Sequence, residues 1–529
     1  MTKTLLICLS LPFALLLAGA SGIASDTQVP EAAGGICFPA GDKEKALALF
    51  IDALLEKDPD IRCRKILEVA AADPANAETP LKAFYSSLKK TKNPRALLAQ
   101  FNSIWKKNPD NFYFVLFGTD ANKTLGTPAA ERLKLLEKFN SIPASALWST
   151  PGWTRDITAS ILRSTAECYM ELEQYEKIRQ LFEKWHNAPA EHRLALYVTL
   201  GGTCYTAAAK SYCTGKNAQG KALEKCFYDS VTGLEKLAPS INDNKSAWST
   251  LLFYNSYRPL LGDKSMRFAQ EYYLRTRSAS ANVWRMEIAV DMGNMTIFNE
   301  AVKEISAANP RFNPSELRFK ALLNAEKFAE ARKEISALPE KRHYELLQEF
   351  FIKQKKWTEL YALVTDRLSK GAPDDAASGL LLLTVAHQQK SNREAYSQAL
   401  RVLVPFVNNP DIANSVAYIS AELGYYLDNA RKLLEVSLKK EPGNYAYLDT
   451  MAWICFKQKR YAEAEKWIQK ALAAATPHNG MAVILDHKGD IAAAQRKNPR
   501  IWYQLAIKYA PFDKECNPAE IMKKLKALK

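Results

Sequence analysis

The fold is decided by residues 447–472, which read YLDTMAWICFKQKRYAEAEKWIQKAL. Ala464 is a small residue within this stretch, and the aromatic Tyr461 lies three positions before it. Similar sites recur upstream at spacings of 30, 29, 35, 35 and 34 residues, counted between Ala301, Ala331, Leu360, Ala395, Ala430 and Ala464. A period near 34 residues is typical of a helical-hairpin repeat. The sequence therefore predicts a series of antiparallel helix pairs.

Each repeat carries two further markers. The residue three positions before the small or apolar site is aromatic in four of the six repeats: Phe298, Phe328, Trp357, Asn392, Leu427 and Tyr461. A proline closes every repeat: Pro310, Pro339, Pro373, Pro410, Pro442 and Pro477. Two helices approach closely only where a side chain is small, and proline ends the second helix. Because one helix pair cannot bury its apolar face alone, neighbouring pairs are expected to stack.

The pattern resembles the tetratricopeptide repeat. In the stretch quoted above, Leu448 stands where the family often has Trp, Met451-Ala452 stands for its Leu-Gly pair, and Cys455 stands for its Tyr. Ala464, Ile468 and Ala471 stand at the small and aromatic positions of its second helix. The resemblance covers 411–510 most fully, 281–410 less fully, and the region before 281 least. It implies an all-α fold, an α-solenoid of antiparallel helix hairpins.

Five segments follow from these patterns. They are a signal peptide (1–24), a flexible leader (25–41), an N-terminal helical repeat-like region (42–190), a divergent helical insertion (191–280) and a C-terminal repeat array with capping helices (281–529).

The first residues have the order of a secretory signal. Lys3 is followed by an apolar run from Leu5 to Leu17 and by small residues that place cleavage after Ala20 or Ala24. The run is shorter than the ~20 residues of a spanning helix, so no transmembrane span is expected in the mature chain. We expect a bacterial protein exported to the periplasm or cell envelope. Disulfides are permitted there. A local bridge among Cys204, Cys213 and Cys226 is one option that spacing leaves open.

The chain has no recognisable catalytic motif. None of its six histidines forms H-E-x-x-H, and no Walker A loop, G-x-S-x-G or G-x-G-x-x-G occurs. We expect the histidines at the surface, and no catalytic activity, cofactor or metal site. The net charge of +15 is dispersed, and short clusters such as Lys523-Lys524 are interpreted as solvated helix faces. Nucleic acid is therefore not an expected partner.

The resemblance also implies a function. In this family the first helices of successive repeats line a groove that holds a partner segment. The matching positions form the candidate groove: Asn414, Tyr418, Asp449, Trp453, Lys457, Asp486 and Asp490. Trp453 is either a groove anchor or part of the core between repeats. Asp449 and Asp486 favour a basic or neutral partner segment. The expected partners are other proteins, including envelope or outer-membrane complexes.

Two other functions remain open at this point. One is an envelope hydrolase acting on glycan or peptidoglycan, with a site in or beside 190–280. The other is a structural component of a surface assembly. The expectation best supported by the sequence is a scaffold or adaptor that binds proteins.

Overall fold

The computed structural model describes residues 43–108, 111–150, 153–370, 375–390, 392–513 and 515–528. The predicted signal peptide and the whole of the predicted leader lie outside these ranges. The described residues form helices joined by turns, and no β-strand occurs among them. The predicted all-α fold is confirmed. None of the described helices combines the length and the apolar character that crossing a membrane requires.

The chain divides into two compact units, the first ending at Ile241 and the second beginning at Asn242. This division falls inside 191–280, the segment predicted as a single insertion. The described helices of the N-terminal unit are α1 (Lys43–Leu55), α2 (Pro59–Ala72), α3 (Glu78–Leu88), α4 (Pro94–Lys107), α5 (Phe112–Thr124), α6 (Ala129–Ser141), α7 (Ala144–Trp148), α8 (Arg155–Glu171), α9 (Tyr175–Trp185), α10 (Ala190–Cys213) and α11 (Asn217–Leu237).

The longest hairpin of the N-terminal unit joins α10 and α11. A Cβ atom at Gly233 would lie only 2.2 Å from Tyr197 Cε2, so glycine is needed for this close helix packing. Cys204 and Cys226 are both buried, and the two thiols are close enough across the hairpin to shift each other's pKa. Cys213 lies at the end of α10, and all three cysteines are free. Of the three predicted candidates for a local bridge, the fold thus brings Cys204 and Cys226 together.

The C-terminal unit contains the predicted repeats. Its described helices are α12 (Asn244–Ser256), α13 (Arg258–Leu261), α14 (Lys264–Thr276), α15 (Ala279–Met292), α16 (Met295–Ala308), α17 (Ser315–Asn324), α18 (Phe328–Ala337), α19 (Glu340–Lys353), α20 (Trp357–Ser369), α21 (Ala376–Gln388), α22 (Arg393–Leu403), α23 (Pro410–Leu423), α24 (Leu427–Lys440), α25 (Tyr445–Lys457), α26 (Tyr461–Ala474), α27 (Met481–Ala494), α28 (Arg500–Tyr509) and α29 (Pro518–Ala527). We refer to the seven hairpins from α15 to α28 as the repeat array.

The packing of the repeat array follows the sequence period. The six small or apolar sites that defined the repeats are each at most 3% exposed. Each lies on the second helix of its hairpin, where a larger side chain would push the two helices apart. Each hairpin also contacts the next one, so the hairpins stack as an α-solenoid.

The two ends of the C-terminal unit contact each other. The Tyr257 ring lies 4.8 Å from the His478 ring and 6.1 Å from the Phe512 ring, between ring centroids. Helix α13 packs against the short turn of 3-10 helix at Ala510–Phe512. The helices that precede the repeat array therefore pack beside its last hairpins.

Candidate functional site

The seven candidate groove residues lie on three successive first helices. Asn414 and Tyr418 are on α23, Asp449, Trp453 and Lys457 are on α25, and Asp486 and Asp490 are on α27. Within each helix they are four residues apart and therefore share a face. Helix α25 contacts both α23 and α27. We call the surface that these residues form the groove face.

Trp453 joins the three helices. Its side chain is buried, with 7% of its surface exposed. The indole ring stacks on His487 at a centroid distance of 4.0 Å and on Phe456 at 4.7 Å. Its Nε1 donates to Glu422 Oε1 at 2.5 Å, and Lys457 Nζ lies 4.9 Å from the ring centroid. Of the two roles open from the sequence, this burial favours the core between repeats.

His487 forms a buried ion pair with Asp449. Its Nδ1 lies 3.0 and 3.1 Å from the two carboxylate oxygens. Burial lowers the pKa of His487, but Asp449, Asp486 and Glu422 together raise it above its ordinary value. The expectation that the histidines lie at the surface is wrong for His487, and also for His192. Both can be buried because a partner satisfies one ring nitrogen of each. Asp449 does so for His487, and Thr158 Oγ1, 2.9 Å from Nδ1, does so for His192.

Glu422 and His387 also belong to the groove face, although neither was among its predicted residues. Glu422 Oε2 lies 3.7 Å from His387 Nε2. Burial alone would raise the pKa of Glu422, but the neighbouring His387 imidazole, the charges of His487 and Lys457 and the hydrogen bond from Trp453 lower it to about 2. Glu422 follows Tyr418 by four residues on α23, so the helical period could have identified it.

The last helix, α29, covers part of the groove face. Lys524 Nζ lies 2.9 Å from both oxygens of Asp486 and 2.7 Å from Asp490 Oδ2. Tyr503 donates its hydroxyl to Asp490 Oδ1 at 2.8 Å. Interpreting Lys524 as part of a solvated face is therefore wrong, because two carboxylates from another helix hold its ammonium group.

The groove face offers groups suited to recognition. It combines buried aromatic rings with carboxylates and hydrogen-bond acceptors. Such combinations serve to bind polypeptide segments, where aromatic residues provide contact area and polar groups provide direction. Among the described residues, no group of three or more His, Cys, Asp or Glu side chains could hold a metal ion.

Comparison with known proteins identifies no family for the chain. No protein-family model and no curated protein sequence matches the chain. Among solved structures, the chain is similar to the APC/C hetero-tetramer Cut9-Hcn1, with a TM-score of 0.34, 12% identity and coverage of 92% of this chain and 90% of that one. It is also similar to yeast Tom70, with a TM-score of 0.32, 12% identity and coverage of 92% and 96%. At this identity and these TM-scores, neither similarity bears on function.

Proposed function

We propose that the chain is a protein-binding scaffold that holds partner segments on the groove face of its repeat array. The observation that carries this proposal is the alignment of Tyr418, Lys457 and Asp490 on three adjacent first helices. Beneath this face Trp453 of α25 contacts Glu422 of α23 and His487 of α27, so the three helices are held together before any partner arrives. A rigid face loses little entropy when a partner binds.

We also propose that the scaffold is exported and works in the bacterial cell envelope. The support is the order of charged, apolar and small residues before Ser25. In this compartment a scaffold would hold together or present other envelope proteins.

Site-specific photo-crosslinking tests both proposals in one experiment. A photoreactive phenylalanine derivative replaces Lys457, which is partly exposed on the groove face. The control replaces Lys439, which is exposed on the second helix α24. We expect discrete adducts from position 457 only. Mass spectrometry of the same protein should find that its chain begins at Ser21 or Ser25. Adducts from both positions alike, or from neither, would contradict the scaffold, and an intact Met1 would contradict export.

A further inference from the structure

The longest hairpin of the N-terminal unit contains two buried thiols, Cys204 on α10 and Cys226 on α11. Cys204 is fully buried, and Cys226 is 6% exposed. Both are free thiols in the structure, and neither belongs to the groove face. We refer to these two residues as the cysteine pair. Two thiols on neighbouring helices can be joined covalently if their side chains oppose each other.

The register of the hairpin places the cysteine pair in opposition. Towards one end of the hairpin, the ring of Tyr197 on α10 packs against Gly233 on α11. Towards the other end, Ser211 Oγ donates to Gln219 Oε1 at 3.2 Å. On each helix the cysteine lies midway between these two contacts, seven residues from either one. Seven residues are close to two full helical turns, so all three pairs share one face of each helix.

Small side chains surround the cysteine pair. Gly201 and Ala208 are buried on α10, one turn to either side of Cys204, and Ser230 is buried one turn after Cys226. Helices approach most closely where the side chains between them are small. The two thiols accordingly lie close enough to shift each other's pKa. Opposed positions at such a contact suit a disulfide, which needs Cα atoms within about 7 Å of each other.

The third cysteine of the hairpin points elsewhere. Cys213 follows Cys204 by nine residues, which is two and a half helical turns, so the two lie on opposite faces of α10. Burial raises the pKa of Tyr175 on α9 to about 12, and the charges of Glu173 and Cys213 raise it further. Cys213 therefore faces α9 rather than α11. Of the bridges that spacing left open, the fold favours the one between Cys204 and Cys226.

We propose that Cys204 and Cys226 form a disulfide that joins α10 to α11 in an oxidising compartment. The oxidant is a second disulfide, carried by a small thiol compound or a thiol oxidoreductase. The thiolate of Cys226, the more exposed of the two, attacks it to form a mixed disulfide and release one thiolate. The thiolate of Cys204 then attacks the Cys226 sulfur and releases the second. The two released thiolates take up the two protons from the cysteine pair, so one external disulfide becomes two thiols.

Mass spectrometry of the full chain tests this proposal. The purified, reduced protein is incubated with glutathione disulfide, its free thiols are blocked with N-ethylmaleimide, and it is digested without reduction. We expect one predominant crosslinked peptide pair, which joins Cys204 to Cys226 and disappears on reduction. Cys226→Ser should abolish it, and Cys213→Ser, the matched control on the same hairpin, should leave it unchanged. Predominant bonds to Cys213, or no bond between the cysteine pair, would overturn the proposal.

Calorimetry of the full chain measures what the bond does to stability. The bond closes a loop of roughly 20 residues and so restricts the unfolded chain. We expect oxidation to raise the melting temperature of the N-terminal unit by about 5–10 °C. The double variant Cys204→Ala/Cys226→Ala should show no such rise. An equal rise in that variant would show that another bond is responsible and would contradict the proposal.

The state of the protein in its native location separates this proposal from the proposed export, on which the oxidising compartment depends. If the native chain begins at Ser21 or Ser25 but keeps Cys204 and Cys226 as free thiols, the disulfide proposal fails and export stands. If the purified chain forms the bond while the native protein keeps Met1 and free thiols, export fails and the pairing stands.

Discussion

Replacing Trp453 with alanine is expected to lower the free energy of unfolding by about 3–5 kcal/mol. The indole is buried between His487 and Phe456, and its loss would leave a cavity where α23, α25 and α27 meet. The variant would also leave Glu422 without its Nε1 donor. Urea unfolding of the full chain, followed by far-UV circular dichroism, measures the change.

Trp467→Ala is the matched control for this prediction. Trp467 lies on the second helix α26, is partly exposed, and donates only a 3.4 Å hydrogen bond to Glu463. We expect its removal to cost less than about 1 kcal/mol. If Trp453→Ala left stability unchanged while abolishing crosslinking from position 457, Trp453 would be a groove anchor and not part of the core.

A second large effect is expected at Arg285, which is 1% exposed on α15. It donates to Asn282 Oδ1 at 2.6 Å, Gln270 Oε1 at 3.1 Å and Glu304 Oε2 at 2.7 Å. Its guanidinium also lies 4.2 Å from the Tyr273 ring centroid. The side chain thereby connects α14 and α16 through α15.

Arg285→Met should lower the free energy of unfolding by about 3 kcal/mol, the lower end for a broken buried pair, because Glu304 remains partly solvated. Arg267→Met removes a similar side chain from an exposed pair with Asp263 and should cost at most about 0.5 kcal/mol. Differential scanning calorimetry of both variants provides the comparison. Equal effects would show that the network of Arg285 does not stabilise the unit.

The repeat period was sufficient to predict the hairpins. Ala464 and its equivalents are spaced regularly because every hairpin must bring two helices together at the same place. The resemblance to the tetratricopeptide repeat also implied that Tyr418, Trp453 and Asp490 lie on first helices, which is where the structure has them. These are local properties of sequence, which is why they can be recognised before the structure is known.

Contacts between distant side chains could not be predicted in this way. Lys524 reaches Asp486 because α29 folds back over α27, and no spacing in the sequence indicates that contact. The pairing of His487 with Asp449 depends likewise on how two hairpins stack. Segment 191–280 lacks the period, so its division between two units was not visible either.

Hydrogen exchange of the full chain, alone and bound to a partner recovered by crosslinking, tests the central claim most directly. Exchange protection reports where backbone opening is suppressed on binding. We expect added protection in α23, α25 and α27, with none in α22, α24 or α26. Added protection confined to those second helices, or to the N-terminal unit, would contradict the claim that partners bind on the groove face.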